Sequence, residues 1–148
     1  MGGASKGSII SENVQGRTAT RLNGQVLLDN NGGFIQMTLN LTDKSSAFDA
    51  SNWVGLEIDV LGNGETYDLR FRTDELTRPW QSFRSAFIAP KYWKTIRVLF
   101  NDIKPHRTDI KFNPSRLSRI GILAIGRVFY ADIAVSAVRL YNKPHLSN

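Results

Sequence analysis

Between Trp53 and Asp74 the chain reads WVGLEIDVLGNGETYDLRFRTD, and Glu57, Asp59, Asp68, Arg70 and Arg72 fall within it. Carboxylates beside guanidiniums suit two kinds of chemistry. Asp59 and Asp68 would be the carboxylate pair for general acid–base work, but that work needs one carboxyl held neutral. Arg70 nearby would keep both ionised, so no catalytic residue is assigned. The other chemistry is recognition. An arginine offers a planar fork of donors, and sugars stack on exposed aromatic rings while planar polar groups bracket their hydroxyls. The expected binding set is Arg70 as central donor, flanked by Arg72, Trp80 and Gln81. Glu57 and Asp59 are expected to hold the Arg70 guanidinium, with Asp68 beside them. The competing reading is a solvated, salt-bridged sheet face with Trp80 in the core.

The remaining chemistry is narrow. The chain has no cysteine and only two histidines, His106 and His145. Disulfides, thiolate metal sites and a cysteine nucleophile are therefore out, and no metal or cofactor is expected. No glycine-rich segment has the strand–turn–helix setting of a nucleotide site; Asn30 to Gly33 reads as a turn. The net charge of +6 over 148 residues favours acidic partners. Its carriers, among them Arg17, Arg21, Arg84, Arg97, Lys104, Arg107, Lys111, Arg116 and Arg119, are spread over many elements, so nucleic-acid binding is not favoured. No run approaches the ~18 apolar residues of a membrane span. The opening MGGASKGSII lacks the layout of a secretory signal, which gives a cytoplasmic expectation.

These side chains need strands to present them. Val54, Leu56, Ile58 and Val60 alternate with polar residues, and Tyr67, Leu69 and Phe71 do so again after Gly62-Asn63-Gly64. The pattern predicts a β-hairpin with Val60 opposite Tyr67, Ile58 opposite Leu69 and Leu56 opposite Phe71. That register sets Glu57 opposite Arg70 and Asp59 opposite Asp68. Further strands are expected over 18–29, unless Asn23-Gly24 turns the chain there, and over 34–41, 80–89, 93–100, 120–125 and 129–141. A phase shift in the last one predicts a bulge near Ser136. Phe48 is expected as a plug on a sheet edge, and Asn113-Pro114-Ser115-Arg116 as one helical turn. Residues 1–16 read as a partly ordered entry segment and 142–148 as a tail, around one domain spanning 1–148. No helical period is sustained, so the fold class is all-β, a jelly-roll β-sandwich.

Several of these pieces, in this order, resemble the complex I intermediate-associated protein 30 family. They are Gly2-Gly3-Ala4-Ser5, Asn31-Gly32-Gly33-Phe34, the stretch GLEIDVLGNGETYDLRFRT from Gly55, Trp93 to Phe100, Asn113-Pro114-Ser115-Arg116 and Ile120-Gly121-Ile122. Asn113 stands where the family usually has Asp, and Ala4 where Val is commoner. The resemblance implies a galactose-binding-like domain. It implies a chaperone or assembly role, with a protein partner of the respiratory-complex type docking on the concave sheet face. The same fold hosts carbohydrate-binding modules, so a glycan-like ligand is the alternative, and a weak anionic-polymer binder the third.

Overall fold

The computed structural model describes residues 6–27, 33–39 and 48–142. The Gly2 to Ser5 motif, Asn30 to Gly32, most of the loop that follows Leu41, His145 and residues 143–148 lie outside the described residues. Ten strands follow in order: β1 (Lys6–Val14), β2 (Arg17–Val26), β3 (Phe34–Leu39), β4 (Gly55–Leu61), β5 (Thr66–Thr73), β6 (Ser82–Ile88), β7 (Lys94–Leu99), β8 (Lys104–His106), β9 (Leu117–Ile125) and β10 (Phe129–Tyr141). Among the described residues they form two five-stranded antiparallel sheets. The back sheet runs β1-β2-β10-β4-β7 and the front sheet β3-β9-β5-β6-β8. This is a jelly-roll β-sandwich, all-β as the alternation predicts. No helix among the described residues is long and apolar enough to cross a membrane.

The core is the meeting of the two inner faces. Leu56, Ile58 and Val60 from β4 and Tyr67, Leu69 and Phe71 from β5 are buried in it, with Phe83, Ile120, Ile122 and Ile133. The irregular stretch after β8 closes one end, where Phe112 sits edge-on to Phe71 and Phe83 with ring centroids 5.6 and 5.2 Å away. Phe48 bridges to Leu117 by two backbone hydrogen bonds and stacks on Trp53.

The paired hairpin expected between Trp53 and Asp74 does not exist. β4 pairs with β10 and β7, whereas β5 pairs with β9 and β6. The turn at Gly62-Asn63-Gly64 carries the chain from the back sheet to the front sheet, and the two apolar faces pack against each other instead of lying side by side. Alternation of period two is identical for both arrangements. Packing face to face buries each apolar face at once, whereas a hairpin would leave both exposed until another layer arrived. The turn is held by amides of Gly62 and Gly64 donating to the carbonyls of Pro90 and Ala89 at 2.7 and 2.8 Å.

Two more expectations change. Residues 6–14, read as part of an entry segment, are a full strand hairpinned to β2. The turn is Gln15-Gly16, with both φ positive at 44° and 88°. That is the two-residue geometry matching the natural strand twist. Asn23-Gly24 is not a turn, because β2 runs through it, paired on both sides. The bulge near Ser136 is present as a register shift between Val135 and Ala137. Pro114 to Arg116 form a single 3-10 turn. Asn113 Oδ1 accepts from the Ser115 amide at 3.1 Å and its hydroxyl at 2.6 Å, the capping work an aspartate would do.

Candidate ligand groove

Outward side chains of the front sheet form rows across its strands, set by the ladder registers. Thr38, Gly121, Arg70 and Arg84 make one row; Gln36, Leu123, Asp68 and Ala86 lie beside it; Phe34 pairs with Ile125 beyond that. Arg119 and Arg72 face each other on the opposite side. Gly121 leaves the floor low between Thr38 and Arg70. Its backbone passes so near Met37 that an added Cβ would lie 3.1 Å from the Met37 carbonyl oxygen. The connection between β5 and β6 raises one wall. The result is a groove of about 550 Å³ lined by Phe34, Arg70, Arg72, Trp80, Gln81 and Arg119, among others.

Arg70, Arg72, Trp80 and Gln81 thus meet in one place, but not in the roles expected. Trp80 is on the wall and 59% exposed. Gln81 Oε1 accepts the amides of Thr77 and Arg78 at 3.1 and 3.0 Å, so it shapes its own loop. Arg72 Nη1 donates to the carbonyls of Arg78, Pro79 and Gln81. Two of the four residues are therefore braces for the loop that presents Trp80, and Arg78 sits over the indole ring at 6.0 Å.

Arg70 is held, though not by Glu57 and Asp59. Its Nε and Nη2 donate to Asp68 Oδ2 at 3.0 and 2.8 Å, and its Nη1 to Ser82 Oγ at 3.3 Å. Arg84 reaches the same carboxylate at 3.3 Å. Glu57 and Asp59 are on the outer face of the back sheet, across the sandwich. Glu57 accepts from Arg97 at 2.6 Å and from Arg139, and Asp59 from Arg139 and from Thr95 at 2.6 Å. The supporting role expected for them is wrong for a topological reason: β4 and β5 never pair. Burial pushes the Glu57 carboxyl up, but hydrogen bonds from Arg97 and Arg139 outweigh it and hold it below the usual range. The Arg139 hydrogen bonds hold Asp59 low against its burial.

The groove also contains residues that local reasoning did not assign to it. His106 of β8 lies opposite Ser82 and lines the groove, as does Arg107. Burial, then the guanidiniums of Arg70, Arg84 and Arg107, keep the imidazole below its ordinary pKa, with Asp68 opposing. Burial, then Arg119, lowers Arg72. The outward phase of β3 was a usable signal for Phe34, Gln36 and Thr38. Nothing local flagged Arg119 or Arg107 beyond their charge. Among the described residues no three His, Asp or Glu side chains gather as a metal cage.

Comparison with family models gives a match to complex I intermediate-associated protein 30 over residues 1–134. The chain belongs to this family. No curated protein sequence matches it. Among solved structures it is similar to the family 11 carbohydrate-binding module of a cellulosomal cellulase from Clostridium thermocellum, with a TM-score of 0.73 at 13% identity, covering 99% of this chain and 88% of the module. The same bacterium's family 11 module in complex with a β-1,3-1,4-mixed-linked tetrasaccharide matches equally at 0.73 and 13%, covering 95% and 85%. The family 30 module of another of its cellulosomal cellulases gives 0.65 at 16%, covering 97% and 95%. At such identities the likeness is one of fold, and it is the galactose-binding-like fold that the family resemblance implies.

Proposed function

We propose that this family member is a non-catalytic binding domain that takes a glycan-like chain in the front-sheet groove. One observation carries the reading: a half-exposed tryptophan is held by dedicated braces over a groove floored by Gly121 and flanked by arginines. A solvent-exposed indole costs apolar burial, and a loop built to keep it exposed implies a flat partner for its face. The saccharide-bound neighbour of the same fold supports this reading. Arg72 and Gln81 position Trp80, and Arg70, fixed by Asp68 and Ser82, supplies directed donors to the floor.

The test is a glycan array followed by tryptophan fluorescence titration of any retained oligosaccharide. Binding should shift the emission of Trp80, while Trp53 and Trp93, both packed against the body, stay silent. Trp80→Ala should weaken the affinity by about tenfold or more, as loss of a stacked ring does. Retention of no glycan, or equal binding by the variant, defeats the reading. A second reading, docking of a protein partner on the same face, is favoured by the family match and predicts a partner whose retention depends on Trp80 but which no sugar displaces.

A further inference from the structure

The groove carries a concentrated excess of positive charge. Arg70, Arg72, Arg107, Arg119 and His106 line it, and no carboxylate does. Asp68, just behind Arg70, is shared between Arg70 and Arg84, one anion for two cations. Arg72, Arg107 and Arg119 have no ion-pair partner among the described residues. Arg72 and Arg119 even stand directly opposite each other on β5 and β9. Like charges paired across strands are destabilising. Arg107 holds its position with a left-handed backbone, φ 60°, which a non-glycine residue adopts at a cost.

The back sheet's outer face shows the opposite habit. There Arg139 bridges Glu57 and Asp59, Arg97 binds Glu57, and Arg21 is bound by both Glu12 and Asp132. The net charge of the chain is therefore not scattered evenly in space. Arg78, Lys91, Lys94, Lys104 and Lys111 also lack an ion pair among the described residues but lie outside the groove; within it Arg72, Arg107 and Arg119 stand together with no carboxylate among the lining residues.

We infer that the groove's ligand is an acidic saccharide, a chain whose rings carry carboxylate or sulfate groups. The inference rests on the glycan-binding reading above and specifies its substrate class. Guanidinium forks match either oxyanion bidentately. The arrangement suits sugar rings better than an acidic peptide. The floor strands β9 and β5 are interior, each paired on both sides, so the sheet's free backbone edges, on β3 and β8, lie at the groove's borders and none runs along its floor for a peptide to pair with. Recognition on the floor is by side chains. Trp80 on the wall and the Phe34–Ile125 pair at the far end offer apolar surface for ring faces, and the cations lie between them.

Four probes decide the matter at fixed ionic strength by calorimetry and affinity electrophoresis: a polyuronate, a sulfated galactan, a neutral mixed-linked β-glucan and polyglutamate. At least one acidic saccharide should bind about tenfold or more tighter than the neutral glucan, the scale of one charge-assisted hydrogen bond. Its affinity should fall as salt rises. Whichever acidic arm binds identifies carboxylate or sulfate as the group read. Arg119→Gln and Arg107→Gly should each weaken that binding several-fold without lowering Tm, since neither side chain has a partner to lose and glycine suits the Arg107 backbone. Neutral glucan binding as well as the acidic chains overturns the inference and leaves the glycan reading standing. Polyglutamate binding as tightly as the saccharides overturns the choice of sugar over peptide. Retention of no saccharide at all overturns both.

Discussion

At the scale of single residues, Tyr67 shows how one hydroxyl can tie the two layers. Its ring is buried from β5 against Phe87 and Phe129. Its oxygen donates to Asn63 Oδ1 at 2.6 Å and accepts from the Asp132 amide of β10, in the other sheet, at 2.9 Å. Burial, opposed by the Asp132 amide, pushes the phenol up to about 12 from the usual 10. A phenol that ionises less readily when folded contributes stability that is complete below about pH 10 and lost as pH rises toward 12. Tyr67→Phe should cost about 1–3 kcal/mol at neutral pH, because the Asp132 amide loses its acceptor. It should also flatten the stability profile between pH 10 and 12. Urea melts of both proteins across that interval check both halves. An unchanged alkaline slope would mean another group causes the loss.

At the scale of elements, the crossing turn matters more than any strand. Gly62 lies against Ala89, and a Cβ there would come within 2.8 Å of the Ala89 carbonyl oxygen, a backbone atom that the Gly64 amide already uses. Gly62→Ala should therefore cost about 1–3 kcal/mol by overpacking the point where β4 leaves the back sheet. In urea the midpoint should fall with an unchanged slope; a shift within ~0.5 kcal/mol, the ordinary surface value, would show that the corner can yield. The β5–β6 connection is a second such element. Its shape is set by Arg72 and Gln81, which is why substituting either is a poor probe of ligand contact and Trp80 a good one. Arg70 is likewise a poor probe, since removing it leaves the buried Asp68 with only Arg84.

At the scale of the molecule, the sandwich separates a neutralised back face from a cationic front face. This separation sets its response to acid. Glu57 and Asp59 are held low when folded, so their stabilisation is present above about pH 4 and lost as pH falls through their depressed values. His106 faces Arg70 and Asp68 from β5, Arg84 from β6 and Arg107 on its own strand's flank. Held below its ordinary pKa when folded, it takes up its proton more readily in the unfolded chain, so stability should begin to decline below about pH 6.5. The expected profile has two stages, a shallow loss below about 6.5 and a steeper one below about 4. Denaturation midpoints between pH 7 and 3 test this, and His106→Gln should erase only the upper stage. A flat line from pH 7 to 5 in the parent protein would contradict it.

Alternation of apolar and polar residues determined most of the strands, their inward faces, the bulge at Ser136 and the sandwich class, because those properties depend on neighbours two positions apart. The ordered motifs pointed to the family, and the exposure of Trp80 was open after Arg78-Pro79. Which strand lies beside which was decided by tertiary structure alone. Period two is the same for a hairpin and for two strands packed face to face, and only burial of both apolar faces at once separates them. That choice moved Glu57 and Asp59 to the far side of the molecule. It left Asp68 as the anchor of Arg70, and it brought Arg119, His106 and Arg107, distant from Arg70 in sequence, into the groove beside it.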